Sequence, residues 1–194
     1  MSTVATSPID QSLLRRYERD VLLFAKEVLG IEPTVKQAFL FFEVATNRAT
    51  EFVWRNNEGS TTALAILAVW RFLVYPDANV RLFSNHIDAS NFVSTLLNNA
   101  RKSDLFAETL ETLSQKGGRL HFESSFFFGD NKYGRYLNVE RMPISFVSLA
   151  GHMSEAYFLV DKDVPIGDPH IQVMMGSVGC NPESRLAISL RGIA

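Results

Sequence analysis

The sequence predicts an α/β domain with a mainly parallel sheet flanked by helices. Three observations carry this. Short apolar runs alternate with longer segments of helical periodicity. One run, Ala156-Tyr157-Phe158-Leu159-Val160, is continuously apolar, as a strand covered on both faces is. One helical segment, Thr61 to Tyr75, is apolar all round and so needs covering, here by a sheet. In such a sheet the helices lie on both faces, and ligands bind beyond the carboxyl ends of the strands.

The elements follow in order. Residues 1–7 are small and polar and are expected to be disordered. Ser7-Pro8-Ile9-Asp10 reads as a helix start, with Pro early and an acid in the first turn. Leu13, Leu14, Tyr17, Val21, Leu22, Phe24 and Leu29 then recur at roughly helical spacing, and Gly30 ends that helix. Pro33-Thr34 opens a second helix, carrying Phe39, Phe42 and Val44. Glu51 to Arg55 is a short strand, followed by the turn Arg55-Asn56-Asn57-Glu58-Gly59-Ser60-Thr61-Thr62 and then the apolar helix, which Pro76-Asp77-Ala78 stops. Asn79 to Ser84 is a second strand and Asp88 to Arg101 a second amphipathic helix. Between 118 and 148, Leu120, Phe122, Phe126 to Phe128, Tyr136-Leu137 and Ile144 to Val147 mark several short strands, with a hairpin turn at Asp130-Asn131-Lys132. The buried run ending at Val160 and a last strand, Arg185 to Leu190, complete the chain.

Composition bounds the function. The 194 residues suit one domain, 1–194, with a sizeable core. Net charge is −2 and no basic tract is present, so bulk charge does not propose nucleic-acid binding; such contact needs a local patch. A single cysteine, Cys180, excludes an internal disulfide and a multi-cysteine zinc site, and reads as a small buried hydrophobe. His86, His121, His152 and His170 have no metal-ligand spacing and read as surface or capping residues, whereas Trp54 and Trp70 read as core. No apolar run reaches the roughly 18 residues of a membrane span, and the N-terminus lacks a signal pattern. No membrane association and a reducing, cytoplasmic setting are therefore expected.

The turn at 55–62 raises the sharpest chemical question. A phosphate-binding loop needs glycine for a tight turn, successive N–H groups facing the phosphates, and the positive end of a helix behind them. A lysine neutralises the β- and γ-phosphates and a Ser or Thr holds Mg²⁺. Strand, turn, Gly59, the Thr61 hydroxyl and helix are present here, but Trp54 stands at the first glycine and Ser60 at the lysine. The same residues are also good turn and capping chemistry. A carboxylate at the end of a neighbouring buried strand completes such a site, and Asp161 stands there, able to hold the water shell of Mg²⁺. The residue after it is Lys162 where a general base is usual, and Asp163 follows; Asp161-Lys162-Asp163 also reads as a solvated strand exit. Arg55, Ser84, Asp161 and Ser189 all fall at or near strand ends and are candidates for one crevice.

The order of these elements resembles the ATPase domain of the large terminase subunit of tailed bacteriophages, the motor that packages DNA into the capsid. The resemblance spans roughly Phe24 to Ala194. It starts at "FAKEVLGIEPTVKQ" (Phe24–Gln37), continues through the phosphate-loop position and "ALAILAVWRFLVYPDANVRLFSN" (Ala63–Asn85), and reaches the strand before Asp161. "GSVGCNPESRLAISLRG" (Gly176–Gly192) is similar to the closing strand with its coupling motif.

The resemblance implies a P-loop NTPase-like (ASCE/RecA-type) fold that binds ATP with Mg²⁺ and couples hydrolysis to DNA translocation. It implies that Gln37 contacts the adenine and that Asn56, Asn57, Glu58, Gly59, Ser60, Thr61 and Thr62 form the nucleotide loop. Thr61 and Asp161 would form the metal site, and Ser189 would lie near the coupling motif that senses the γ-phosphate. Ser60 replaces the usual lysine, Lys162 the catalytic glutamate, and "SLRG" the usual coupling sequence. Arg55 is then the candidate for the phosphate charge and Asp163 for the base. The chain stops where the family's nuclease domain would begin, so nuclease activity is not expected and a separate nuclease subunit is a possible partner. Other implied partners are double-stranded DNA, the phage portal, the small terminase subunit and further copies in an assembled oligomer, in the host cytoplasm. Two alternatives stay open: a catalytically impaired pseudo-ATPase acting in assembly or regulation, and another DNA-dependent motor or helicase fragment.

Overall fold

The computed structural model describes residues 8–75, 78–86, 88–117, 119–122, 125–130, 135–140, 156–165, 169–180 and 184–192. The expected disorder at 1–7, the stop at Pro76-Asp77, the strand at Ile144–Val147, the tip of the hairpin at 131–132 and His152 lie outside them.

The single long helix expected at the start is two. Helix α1 spans Pro8–Arg19 and α2 spans Val21–Glu27. Asp20 separates them because its backbone is extended (φ −137°) and its carboxylate caps α2, accepting from Leu23 N at 2.9 Å. Helix α3, Val35–Thr46, begins on a complete capping box between Thr34 and Gln37. It buries Leu40, Phe41 and Val44 but leaves Phe39 and Phe42 exposed. Strand β1 (Ala49–Trp54) and helix α4 (Ser60–Val74) follow, then strand β2 (Asn79–Phe83) and helix α5 (Ala89–Ala100).

Helix α6 (Asp104–Gly117) is an element the sequence reading passes over, although Phe106, Leu110 and Leu113 give it a buried stripe. Strands β3 (Arg119–Phe122), β4 (Ser125–Asp130) and β5 (Arg135–Glu140) come next, then β6 (Ala156–Val160). A second overlooked helix, α7, spans Pro169–Cys180 before β7 (Arg185–Arg191) closes the described fold. The stretch Gly176–Gly192, read as a closing strand region, is thus helical as far as Cys180 and extended only from Arg185.

The seven strands form one sheet in the order β1-β7-β6-β2-β5-β4-β3. β1, β7, β6, β2 and β5 run parallel, and β4 and β3 add an antiparallel edge. The α/β fold with a mainly parallel sheet is therefore as the sequence predicts.

Helices cover both faces. Helix α4 lies against one face with Ala63 to Val69 all fully buried, and α1, α2, α3, α5 and α6 share its apolar cluster. Aromatic edge contacts knit that layer: Tyr17 to Phe24 at 5.8 Å, Phe24 to Phe106 at 5.9 Å and Phe72 to Phe128 at 5.7 Å between ring centres. Trp54 and Trp70 are buried as expected, and Trp70 Nε1 donates to Tyr17 O at 2.7 Å, tying α4 to α1. On the opposite face Ile171, Met174 and Val178 of α7 pack on Phe83, Phe158, Val160, Leu186 and Ile188. Among the described residues no helix is long and apolar enough to cross a membrane.

Candidate functional site

Strand alternation decides which side chains meet. Val80 and Leu82, Tyr157 and Leu159, and Ala187 face the α4 layer. The next residues of the same parity are Ser84, Asp161 and Ser189, so all three fall on that face at the carboxyl edge of the sheet. Backbone bonds carry the register past the strand ends: Asp161 N to Phe83 O at 2.8 Å, Ser84 N to Glu140 O at 3.0 Å and Gly192 N to Trp54 O at 2.7 Å.

Asp161 is the centre of the arrangement. It is fully buried, and its carboxylate accepts four hydrogen bonds. Oδ2 accepts from Thr61 Oγ1 at 2.6 Å and from Ser84 Oγ at 2.9 Å, and Oδ1 from Ser60 Oγ at 3.2 Å and from Lys162 N at 2.8 Å. Three hydroxyls from two elements thus converge on a carboxylate from a third, at the end of β6. Ser189 is buried beside this level, opposite Phe52 of β1, and its hydroxyl has no hydrogen-bond partner among the described residues.

The loop from 55 to 59 is shaped by two left-handed residues, Asn57 (φ 62°) and Gly59 (φ 80°). Asparagine tolerates that conformation and glycine adopts it without cost. Helix α3 holds the loop from outside. Gln37 Nε2 donates to Gly59 O at 3.1 Å, while its Oε1 accepts from Thr34 N at 2.9 Å. Glu58 pairs with Lys36 and accepts from Arg55 N at 2.7 Å. The hydrogen bond from Lys36, then that from Arg55 N, holds the Glu58 carboxyl below its ordinary range. Helix α4 starts at Ser60, where Ala63 N already bonds Gly59 O at 2.9 Å. The first N–H groups of a helix have no acceptor within it and favour anions.

A cleft of about 480 Å³ opens here. The loop and α4 contribute Asn56, Asn57, Gly59, Ser60, Thr61 and Thr62; the segment after β2 contributes His86, Asp88 and Phe92; β6 and β7 contribute Lys162, Asp163 and Arg191. The structure therefore brings together on one wall most of the residues expected to bind nucleotide. Gln37, Glu58 and Arg55 do not line it. Gln37 is buried with both ends of its amide engaged, so in this structure it buttresses the loop rather than facing the cleft. Arg55 is exposed, and its carbonyl accepts from Lys162 Nζ at 3.1 Å. Asp163, expected as a base, pairs instead with Arg191, Nη2 to Oδ1 at 2.7 Å.

Sequence reasoning missed His86, Asp88, Phe92 and Arg191 as cleft residues. The rule that strand ends carry function, applied to every strand, reaches Arg191 directly and Asp88 at the loop after β2. His86 is exposed and its Nδ1 accepts from Asp88 N at 3.2 Å, a capping role as expected. The side chains of His121, His170 and Cys180 are outside the described ones. Another cleft, of about 440 Å³, runs along α1 between Gln11, Ser12, Arg15, Arg16 and Arg19, all on one helix.

The donor set at Thr61 and Asp161 is one hydroxyl and one carboxylate, both hard oxygen ligands. That suits Mg²⁺, which takes few protein ligands and keeps waters and phosphate oxygens in its shell. Among the described residues there is no group of three or more His, Cys, Asp or Glu to hold an ion without a ligand's help. No protein-family model matches the sequence, and no curated protein matches it.

Proposed function

We propose that this chain is a nucleoside-triphosphate-binding domain of the P-loop, RecA-type class, serving in a DNA-packaging motor of the terminase kind. One observation carries the triphosphate reading: the buried Asp161 carboxylate gathers the Ser60 and Thr61 hydroxyls from the start of α4 beneath a glycine-bearing loop. The sheet order supports it, since β7 stands between the loop strand β1 and the carboxylate strand β6. The packaging-motor part rests on the resemblance of the ordered segments from Phe24 onward, with double-stranded DNA and the portal as the corresponding partners.

In this reading the α4 N-terminus and loop amides would hold the phosphates, and Thr61 and Asp161 would hold Mg²⁺, which would supply charge neutralisation to them. Phe92, on the cleft wall and partly exposed, offers an apolar surface to the nucleoside. A second reading, binding without turnover, is favoured by a specific observation. Hydrolysis needs a residue that takes the proton of the attacking water or orients it, commonly a carboxylate. Lys162 stands at that position, and Asp163 is held by Arg191. Asp88 is the remaining carboxylate on the cleft wall.

Thermal unfolding with Mg-ATP tests the proposal. Ligand at about 100 times its dissociation constant adds about 2.7 kcal/mol. For a domain of this size that raises the melting temperature by about 5–10 °C. No shift at millimolar Mg-ATP refutes the triphosphate reading. A shift with no phosphate release, with or without double-stranded DNA, selects the binding-only form. Turnover lost in Asp88→Asn would instead place the base on the segment after β2.

A further inference from the structure

We propose that the phosphate-neutralising cation of this cleft comes from the sheet rather than from the loop: Lys162 at the end of β6, with Arg191 at the end of β7 beside it. The inference rests on the triphosphate reading above and says how that site is charged.

Among the described residues the loop sets no lysine or arginine on the cleft wall. Ser60 is buried and turned inward, its hydroxyl bound to Asp161. Lys36 is engaged with Glu58 and sits over the Trp54 ring, 5.2 Å from its centre. Arg55 is exposed and off the cleft wall. Among the described residues, Lys162 and Arg191 are the lysine and arginine that line the cleft.

Lys162 is placed to act. It follows Asp161 directly, and its backbone N–H is fixed by that carboxylate at 2.8 Å. Its side chain reaches from β6 past β7, the intervening strand, to Arg55 O at 3.1 Å, the residue that opens the loop. The ammonium therefore rests at the mouth of the phosphate loop on a neutral acceptor. The bond to the carbonyl is charge-assisted from the donor side only, and a phosphate oxygen adds the attraction between opposite charges. Exchange of the carbonyl for a phosphate oxygen is thus favourable and needs only side-chain rotation. Arg191 uses Nη2 on Asp163, which steadies a side chain that is 64% exposed. Its guanidinium carries further donors in a rigid fork suited to phosphate.

The wall also carries Asp88 and Asp163, so its two cations are matched by two carboxylates, with Asp161 beneath. With Asp161 counted the surround is net negative, so it repels a bare triphosphate more strongly than the less negative magnesium complex. Binding is therefore expected to require Mg²⁺, and Lys162 to act on the phosphates and not on the base.

Isothermal titration tests this with Mg-ATP and, separately, with Mg-tripolyphosphate, on wild type, Lys162→Ala, Lys162→Arg and the double variant Ser60→Lys/Lys162→Ala. Circular dichroism melting confirms that each variant is folded. Lys162→Ala is expected to weaken both probes about tenfold or more, by similar factors. Lys162→Arg is expected to retain most of the affinity, and the double variant, which moves the ammonium to the loop, to recover it. Affinity unchanged in Lys162→Ala overturns the inference while leaving the triphosphate reading standing. A loss confined to ATP overturns it too, as does an equal loss in Lys162→Arg with no recovery in the double variant. Wild type that binds neither probe removes the triphosphate reading and this inference with it.

Discussion

Gly59→Ala isolates the coupling between helix α3 and the loop. Two costs are legible in the structure. Gly59 has φ 80°, and an L-residue in the left-handed region costs about 1–2 kcal/mol. A Cβ at this position would also stand 2.7 Å from Gln37 Nε2, closer than real contacts allow. Gln37 must then move, which breaks its bonds to Gly59 O and from Thr34 N, at about 1 kcal/mol each. Gly59→Ala should therefore destabilise by about 3–4 kcal/mol, or lower the melting temperature by roughly 6–15 °C. Gln37→Ala alone loses the same two bonds, about 2 kcal/mol. In the double variant the clash is gone and only the backbone strain adds to that loss. The double-variant cycle should thus show a coupling of about 2 kcal/mol, within the range found for residues in contact. Urea denaturation followed by the fluorescence of the buried Trp54 and Trp70 reads all four stabilities. Additive losses, or a Gly59→Ala cost below about 1 kcal/mol, would refute the account of Gln37 as the loop's buttress.

Three further outcomes are expected. Asp161→Ala leaves four donors without their acceptor and should cost at least about 2 kcal/mol, whereas Asp161→Asn, which keeps shape and removes a buried charge, should stay within about 1.5 kcal/mol of wild type; Mg-ATP should stabilise neither, and a Mg-ATP shift preserved in Asp161→Asn argues against the metal role. Asp20→Ala should cost about 1 kcal/mol by removing the cap of α2, read as a melting-temperature drop of about 2–4 °C. Burial, then the hydrogen bond to Glu27, pushes the Tyr17 hydroxyl up to about 12, and burial raises Tyr75, Tyr136 and Tyr157 as well. Raised values mean that the folded state favours the neutral phenols, so their contribution is full below pH 10 and declines as pH rises through 10 towards 12 and beyond. Ultraviolet titration of the folded protein should show these four tyrosines ionising later than in denaturant; ionisation of all four near pH 10 would contradict their burial.

Much of the fold was legible because buried parallel strands are written locally. Ala156–Val160 is an apolar run, and Asn79–Phe83 sets Val80, Leu82 and Phe83 beside Asn79 and Arg81; the ends of both segments coincide with the strands to within a residue. Helix α7 was hidden because Gly176 and Gly179 are poor helix formers, so its helicity comes from the packing of Ile171, Met174 and Val178 on the sheet. The break at Asp20 was hidden for another reason: the hydrophobic period continues across it, and only the backbone geometry and the cap reveal two helices. Strand order, with β7 between β1 and β6, depends on pairings distant in sequence and has no local signal. The site divides in the same way. Asp161 was readable because it directly follows a buried strand, and Thr61 because it stands in the first turn of the helix after a glycine-bearing loop. The reach of Lys162 to Arg55 and the Arg191–Asp163 pair are meetings between side chains of different strands, which spacing along the chain does not encode.

A comparison within the molecule argues that Asp161 is held for a ligand. Two carboxylates are buried in the described sheet, and they are handled differently. Glu140 lies 3.5 Å from the Arg81 guanidinium, and it also accepts from Asn138 Nδ2 at 2.6 Å. Its charge is compensated by another within the fold. Asp161 is more deeply buried, yet among the described residues no salt bridge reaches it; three hydroxyls and one amide carry its charge. An uncompensated buried charge is costly, and an apolar residue of similar size often does as well or better for stability. Hydroxyls are the donors that release a carboxylate most readily, since each can rotate to become an acceptor itself. A cation arriving above Thr61 and Ser84 would therefore find a charge already in place and ligands free to turn. The Glu140 arrangement is closed to a second cation by the one it already has. The carboxylate with no cation among the described residues is the one just past a strand end, under the loop, at the edge of the sheet where ligands bind in open α/β folds.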